Sequence, residues 1–174
     1  REEVDLVGLL VDTVADARAA GPEHDWQLDL AVLEPPAGAT AEEAEDFLPE
    51  PPLVIGDEAR LRQVVVNLLA NARVHTPAGS HVTTTLMREG DTLIVRIHDD
   101  GPGIAPDVRD RLFERFARGD SSRERRTGST GLGMSIALAI VQSHGGSIDV
   151  DSSTASEDHG TTFTVRLPAA VVEE

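Results

Sequence analysis

A switch in hydrophobic period limits what this chain can fold into more than any other feature. From Asp57 to His75 the residues Leu61, Val64, Val65, Leu68, Leu69 and Ala72 recur at helical spacing, which predicts an amphipathic helix. Thr76-Pro77-Ala78-Gly79 ends it. The period then drops to two. Val82, Thr84 and Leu86 share one face of a strand, and Leu93, Val95 and Ile97 share one face of the next. Glu89-Gly90-Asp91 joins them as a hairpin. A helix with one apolar stripe beside a hairpin with one apolar face can bury both only by stacking in layers.

The flanking segments extend this pattern. Val4 to Ala20 reads as a helix, with Asp5 as its N-cap, Leu6, Leu9, Leu10 and Val14 on one face, and Gly21-Pro22 as its stop. Trp26, Leu28, Leu30 and Val32 alternate as a strand, and Leu53 to Ile55 is a short strand closed by Gly56. Pro106 to Phe116 reads as a short helix. Gly131 to His144 carries Leu132, Ile136, Ile140 and Val141 at helical spacing and stops at Gly145-Gly146. Ser147 to Ser153 and Thr161 to Leu167 form a last hairpin. The fold class predicted is α+β: a two-layer α/β sandwich with a mixed, mostly antiparallel sheet packed on three helices.

Two stretches stand outside this plan. Glu34 to Pro52 holds five prolines and the acidic run Glu42-Glu43-Ala44-Glu45-Asp46, which fits a solvated insertion with at most one short helix. Ala117 to Thr130 is glycine-rich, charged and nearly free of large apolar residues, which predicts a mobile segment.

Charge and composition narrow the partners. The net charge is −16, which argues against nucleic acid or an anionic membrane as a general partner. Any phosphate must therefore meet local basic groups, backbone N–H groups or a metal ion. Five of the fifteen basic residues, Arg115, Arg118, Arg123, Arg125 and Arg126, lie within twelve positions of each other. They are either a solvated loop with its own counter-charges or a local phosphate contact. Cysteine is absent, which excludes disulfides, zinc–thiolate sites and a thiol nucleophile. No apolar run approaches the ~20 residues that cross a bilayer. The chain opens on Arg-Glu-Glu without a methionine, which suggests a piece of something longer.

Three stretches carry chemistry. Asp99-Asp-Gly-Pro-Gly-Ile104 follows a strand and places a fixed carboxylate beside two glycines that permit a sharp turn. Such a carboxylate can accept from the exocyclic amine of a purine, although an acidic Gly-Pro-Gly stretch is also an ordinary turn. Asn67 and Asn71 lie four apart on one helix face. Their amides either cross-link the core or offer oxygen to a hard cation. His75, one turn on, can stack on a base or complement the helix dipole. Gly128-Ser-Thr-Gly-Leu-Gly133 opens the third long helix, where unpaired N–H groups can cradle phosphate. It lacks the Gly-Lys-Ser/Thr ending of a P-loop.

In this order and spacing, these motifs resemble the catalytic and ATP-binding domain of bacterial sensor histidine kinases. That superfamily is shared with gyrase, the ninety-kilodalton heat-shock chaperone and the mismatch-repair MutL ATPases. The resemblance runs from Val4-Asp5-Leu6 to Leu167-Pro168 and treats residues 1–174 as a single domain, with 34–52 as an insertion and 117–130 as an ATP lid. Gln63-Val-Val-Val-Asn-Leu-Leu-Ala-Asn-Ala72 looks like the N box. The match implies that Asn71 ligates Mg²⁺, that Asn67 shapes the phosphate site, and that His75 stacks on the base. Asp99 to Ile104 looks like the G1 box, with Asp99 on the adenine amine and Gly101, Gly103 and Ile104 lining the turn. Phe113-Glu-Arg-Phe116 looks like the F box, where Arg115 approaches the triphosphate. Gly128 to Gly133 looks like the G2 box, so Gly128, Thr130, Gly131, Leu132 and Gly133, with Arg126 upstream, face the phosphates. Gly160-Thr-Thr-Phe163 resembles the closing strand, with Thr162 supporting Asp99 around the adenine.

Some positions depart from that family. Val74 stands where a Lys or Arg is usual, and Arg73 is rotated ~100° away along the helix. His75 replaces the usual Tyr, and Ser129 replaces a hinge glycine. Where related ATPases carry a water-activating Glu, this chain has Asn67, which cannot act as a general base. The resemblance therefore implies a kinase that holds ATP without hydrolysing it quickly. None of His24, His75, His81, His98, His144 and His159 sits in the family's phosphoacceptor motif. The acceptor histidine is thus expected on a separate N-terminal dimerising domain, with a response regulator downstream. The resemblance further implies a monomeric, cytoplasmic domain without membrane contact, whose parent is anchored in the plasma membrane. A hydrolysing ATPase and a degenerate nucleotide-binding module are the alternatives.

Overall fold

The computed structural model describes residues 1–105 and 131–171. Its elements in chain order are β1 (Glu2–Asp5), α1 (Leu6–Ala20), β2 (Asp25–Asp29), a 3-10 turn (Ala31–Leu33), α2 (Ala41–Glu45), β3 (Leu53–Gly56), α3 (Glu58–His75), β4 (His81–Glu89), β5 (Thr92–Asp99), α4 (Gly131–Ser143), β6 (Ser147–Ser153) and β7 (Gly160–Pro168). Five strands form one sheet in the order β2-β4-β5-β7-β6, and β1 pairs with β3 in a second, two-stranded sheet. The β2–β4 pair is parallel. The other pairs of the large sheet are antiparallel, so the mixed, mostly antiparallel sheet is as predicted.

Helices α1 and α3 form because each has both a buried stripe and an N-cap. In α1 the Asp5 carboxylate accepts from the Val7 N–H, and Leu6, Leu9, Leu10 and Val14 are buried. In α3 Asp57 caps the Arg60 N–H, and the buried stripe is the predicted one, Leu61 to Ala72. Helix α3 lies between α1 and α4. All three long helices meet the inner sheet face at Val82, Leu86, Leu93, Val95, Ile97, Phe163, Val165 and Leu167. Central strand β5 is buried along its inner face at Leu93, Val95 and Ile97, each at most 3% exposed, and on its outer face at Ile94 alone, while Arg96 and His98 are exposed. Scarce aromatics leave this core to branched aliphatics, which pack densely at small volume.

Two expectations are corrected. Val4 and Asp5 belong to β1 rather than to the first helix, because Val4 pairs with Val54 and is buried there. The strand from Trp26 stops at Asp29. Leu30 and Val32 enter a 3-10 turn, and Val32 is still buried, so its hydrophobicity mimicked continued alternation. As expected, the insertion holds one short helix, α2, opened by a Thr40–Glu43 capping box. Arg88 anchors its end through the Pro51 carbonyl at 3.2 Å and Glu50 at 3.3 Å. The helix expected over Pro106 to Phe116 and the segment Ala117 to Thr130 lie outside the described residues. Among the described residues no helix is long and apolar enough to cross a membrane.

Candidate functional site

The end of β5 sets the site. Alternation along Leu93, Val95 and Ile97 carries the next inward position, Asp99, to the mouth of the core, where it is 7% exposed. Its Oδ1 accepts from the Gly101 N–H at 3.0 Å. Burial pushes the Asp99 carboxyl above its ordinary value. The Gly101 N–H pulls it back, as do His98 and the Thr161 N–H, while Asp100 adds a smaller push upward. The adjacent acid does a different job. Asp100 accepts from the His81 N–H at 2.7 Å and donates its own N–H to the His81 carbonyl at 3.2 Å, which closes the sheet. Asp99 thus ends at the mouth of the core, while Asp100 ties β4 to the end of β5.

The glycines are needed by the protein's own neighbours. A Cβ on Gly101 would lie 2.6 Å from Thr76 Cγ2, and one on Gly103 would lie 2.0 Å from the Ser153 carbonyl oxygen. Gly103 also has φ +81°, a left-handed conformation that other residues resist. Ile104 donates its N–H to Ser152 Oγ at 2.6 Å. Ser152 in turn donates to the Gly160 carbonyl at 3.1 Å and lies 2.9 Å from Thr161 Oγ1.

Helix α3 forms one wall. Asn67 is half-buried and donates Nδ2 to the Gly133 carbonyl at 2.9 Å, while its Oδ1 accepts from Gln63 at 3.0 Å. That contact docks the first turn of α4, including Gly131 and Gly133, against α3. Leu132 lies in the same turn. Asn71, four residues on, is half-buried. His75 sits at the solvent edge, yet the protein around it holds its imidazole below the ordinary histidine range, and only the Asp99 carboxylate acts in the other direction. The Asp99 carboxylate thus acts on the His75 ring electrostatically. Val74 is 48% exposed. The stem of Arg73 lies over Gly21, where a Cβ would come within 2.8 Å of Arg73 Cδ. Arg73 thus turns towards the end of α1 and does not replace a cation at position 74. Arg115, Arg126, Gly128 and Thr130 lie outside the described residues.

One predicted residue is corrected. Thr162 does not support Asp99. It pairs with His98, and its hydroxyl lies 2.8 Å from His98 Nδ1 on the outer face of the sheet. Thr161 is the residue opposite Asp99, and it is buried. A shift of one position along a strand moves a side chain to the other face. Thr76, Ser152 and His159 were not singled out by sequence. His159 sits 2.6 Å from the Gly101 carbonyl through Nδ1.

Together these residues put a buried carboxyl at one end of the α3 wall and a helix start bonded to the Asn67 amide at the other. Among the described residues no three His, Cys, Asp or Glu side chains gather as a metal cluster. A cation here would rest on the Asn71 amide oxygen and on ligand oxygens. That donor set suits Mg²⁺, which is commonly held by few protein groups plus phosphates and water.

The sequence profile of the histidine kinase-, DNA gyrase B- and HSP90-like ATPases matches residues 56–171. The probable sensor histidine kinase TcrY of Mycobacterium tuberculosis is 48% identical over 97% of this chain and 31% of its own length. The chain therefore spans about a third of that relative. Among solved structures, the mycobacterial sensor histidine kinase MprB superposes with a TM-score of 0.73 at 27% identity, over 98% of this chain and 99% of that one. Full-length ShkA in complex with AMPPNP superposes with a TM-score of 0.71 at 26% identity, over 98% of this chain and 31% of that one.

Proposed function

Because this chain belongs to the histidine kinase-, DNA gyrase B- and HSP90-like ATPase family, we propose that it binds ATP with Mg²⁺ and donates the γ-phosphoryl group to a histidine. That histidine lies on a separate dimerising domain and passes the group to an aspartate of a response regulator. The observation that carries this reading is the buried Asp99 carboxylate, fixed by the Gly101 N–H at 3.0 Å and 7% exposed. A desolvated acceptor of that kind discriminates a purine amine from a carbonyl, since the wrong partner would leave two acceptors facing each other.

Each group then has a role. Asp99 holds the adenine amine, with Gly101, Gly103 and Ile104 shaping the turn and His75 covering the base. Asn71 is the protein ligand for Mg²⁺, which when bound supplies charge neutralisation at the phosphates. The start of α4, from Gly131 to Gly133, offers backbone N–H groups to the phosphates, and Arg115, Arg126, Gly128 and Thr130 complete that end. Phosphoryl transfer asks mainly for positioning and charge compensation, so these groups suffice without a covalent role for the protein. Asn67 leaves no general base to direct water at the γ-phosphorus.

Val74 favours a second reading, a nucleotide-binding module without transfer, because one cation usual in the family is missing and Arg73 faces Gly21. Labelled ATP with a dimerising phosphoacceptor domain supplied in trans separates the two. Acid-labile, base-stable label on histidine is the expected result. Measured ATP binding without any such label would leave only the second reading.

A further inference from the structure

The turn after Asp99 is gripped from outside by the end of β6 and the loop that follows it, at three points. Ile104 N–H reaches Ser152 Oγ at 2.6 Å. Gly103 lies against the Ser153 carbonyl so closely that a Cβ there would come within 2.0 Å of its oxygen. His159 Nδ1 meets the Gly101 carbonyl at 2.6 Å. The first two contacts come from β6 itself and hold the far side of the turn. The third comes from an exposed loop, residues 154–159, and holds the near side, next to Asp99.

We propose that His159 is a positioning residue for base reading: it holds Gly101 by its carbonyl while Asp99 holds the same residue by its N–H. A carbonyl only accepts, so His159 Nδ1 carries the proton in this contact. Gly101 has no side chain of its own to fix it, and Thr76 Cγ2 fills the space where one would sit. The orientation of its two peptide planes is therefore set by Asp99 on one side and His159 on the other. Releasing the carbonyl lets the Gly101 N–H tilt away from Asp99 Oδ1, and the carboxylate loses the partner that aims its other oxygen at the ligand. Preorganised acceptors are worth more than mobile ones because their ordering precedes binding.

The inference rests on the reading of Asp99 as the adenine contact, and the test separates the two. Titration calorimetry compares Mg-ATP with the Mg complex of purine riboside triphosphate, which lacks the exocyclic amine. His159→Ala is expected to weaken ATP binding about fivefold, the worth of one ordinary hydrogen bond, and to leave the amine-free analogue unchanged. His159→Asn places an amide nitrogen where Nδ1 was and is expected to restore ATP affinity. His159→Gln carries its nitrogen one bond further out and is expected not to. Equal losses for both nucleotides mean a general structural role and overturn the proposal, as does full affinity in His159→Ala or in His159→Gln. If the unsubstituted chain binds ATP and the analogue equally, the adenine reading of Asp99 falls and takes this inference with it.

Discussion

Asp99→Asn separates what the site gives to the fold from what it gives to a ligand. The substitution is nearly isosteric. The amide oxygen can still accept from the Gly101 N–H, now at 3.0 Å from Oδ1, so the turn keeps its own bond. On the proposed reading, the other carboxylate oxygen becomes an NH₂ donor facing the adenine amine, also a donor. A hydrogen bond to a charged group contributes about 1.5–3 kcal/mol, so the dissociation constant for Mg-ATP should rise roughly tenfold to 150-fold. Stability should move the other way. Burial raises the native pKa of Asp99 above its unfolded value. Its contribution is therefore fully present below the ordinary carboxylate pKa and lost as pH rises through the raised native one. At neutral pH the ligand-free Asn variant should unfold no earlier than the unsubstituted chain. Any advantage should shrink as pH falls through that window, because the carboxyl is then protonated in both states. Calorimetry gives the affinity, and urea unfolding at several pH values gives the stability difference. Unchanged affinity would show that the base is held elsewhere. A large stability loss at neutral pH would show that the carboxylate serves the turn itself.

Other substitutions probe single contacts. Gly103→Ala forces a Cβ against the Ser153 carbonyl at φ +81°, and unfolding midpoints should report a loss of about 1–3 kcal/mol. Thr161→Val removes the buried hydroxyl that lies 2.9 Å from Ser152 Oγ and should weaken ATP binding, whereas Thr162→Val, on the outer face, should not; the reverse order in calorimetry would refute the register. His144→Phe removes a buried bridge, since Nδ1 donates to the Ile140 carbonyl at 2.7 Å and Nε2 accepts from the Asp57 N–H at 3.1 Å. It should destabilise the chain by about 1–3 kcal/mol, because the Asp57 N–H is left without its acceptor, and guanidinium unfolding measures it.

The wall of the site was more legible in the sequence than its clasp. The α3 stripe and the β4–β5 hairpin follow from local periodicity, and local periodicity also carries Asp99 to the inward end of β5. Thr161 and Thr162 could not be told apart this way. Two adjacent threonines have the same propensity, and which one faces inward depends on where β7 pairs with β5, a contact between residues about sixty positions apart. Strand β1 escaped for a related reason: Val4 is its one buried residue, and its partner β3 lies beyond the insertion. His159 left no pattern at all. A side chain that bonds one backbone carbonyl across a loop needs neither spacing nor an apolar neighbour.

Asn67 gains a more definite meaning from its contacts. Read from sequence, it marks the loss of a catalytic base. In the fold both ends of its amide are occupied, the nitrogen by the Gly133 carbonyl and the oxygen by Gln63. A glutamate there would point a carboxylate at a carbonyl oxygen, with no donor between them, next to the first turn of α4. The amide thus does two things that a carboxylate cannot do together. It leaves water without a base, and it bonds the α4 start to α3. Under the proposed function, in which the chain holds a nucleotide for another acceptor, one residue would then both forgo hydrolysis and secure the phosphate end of the site.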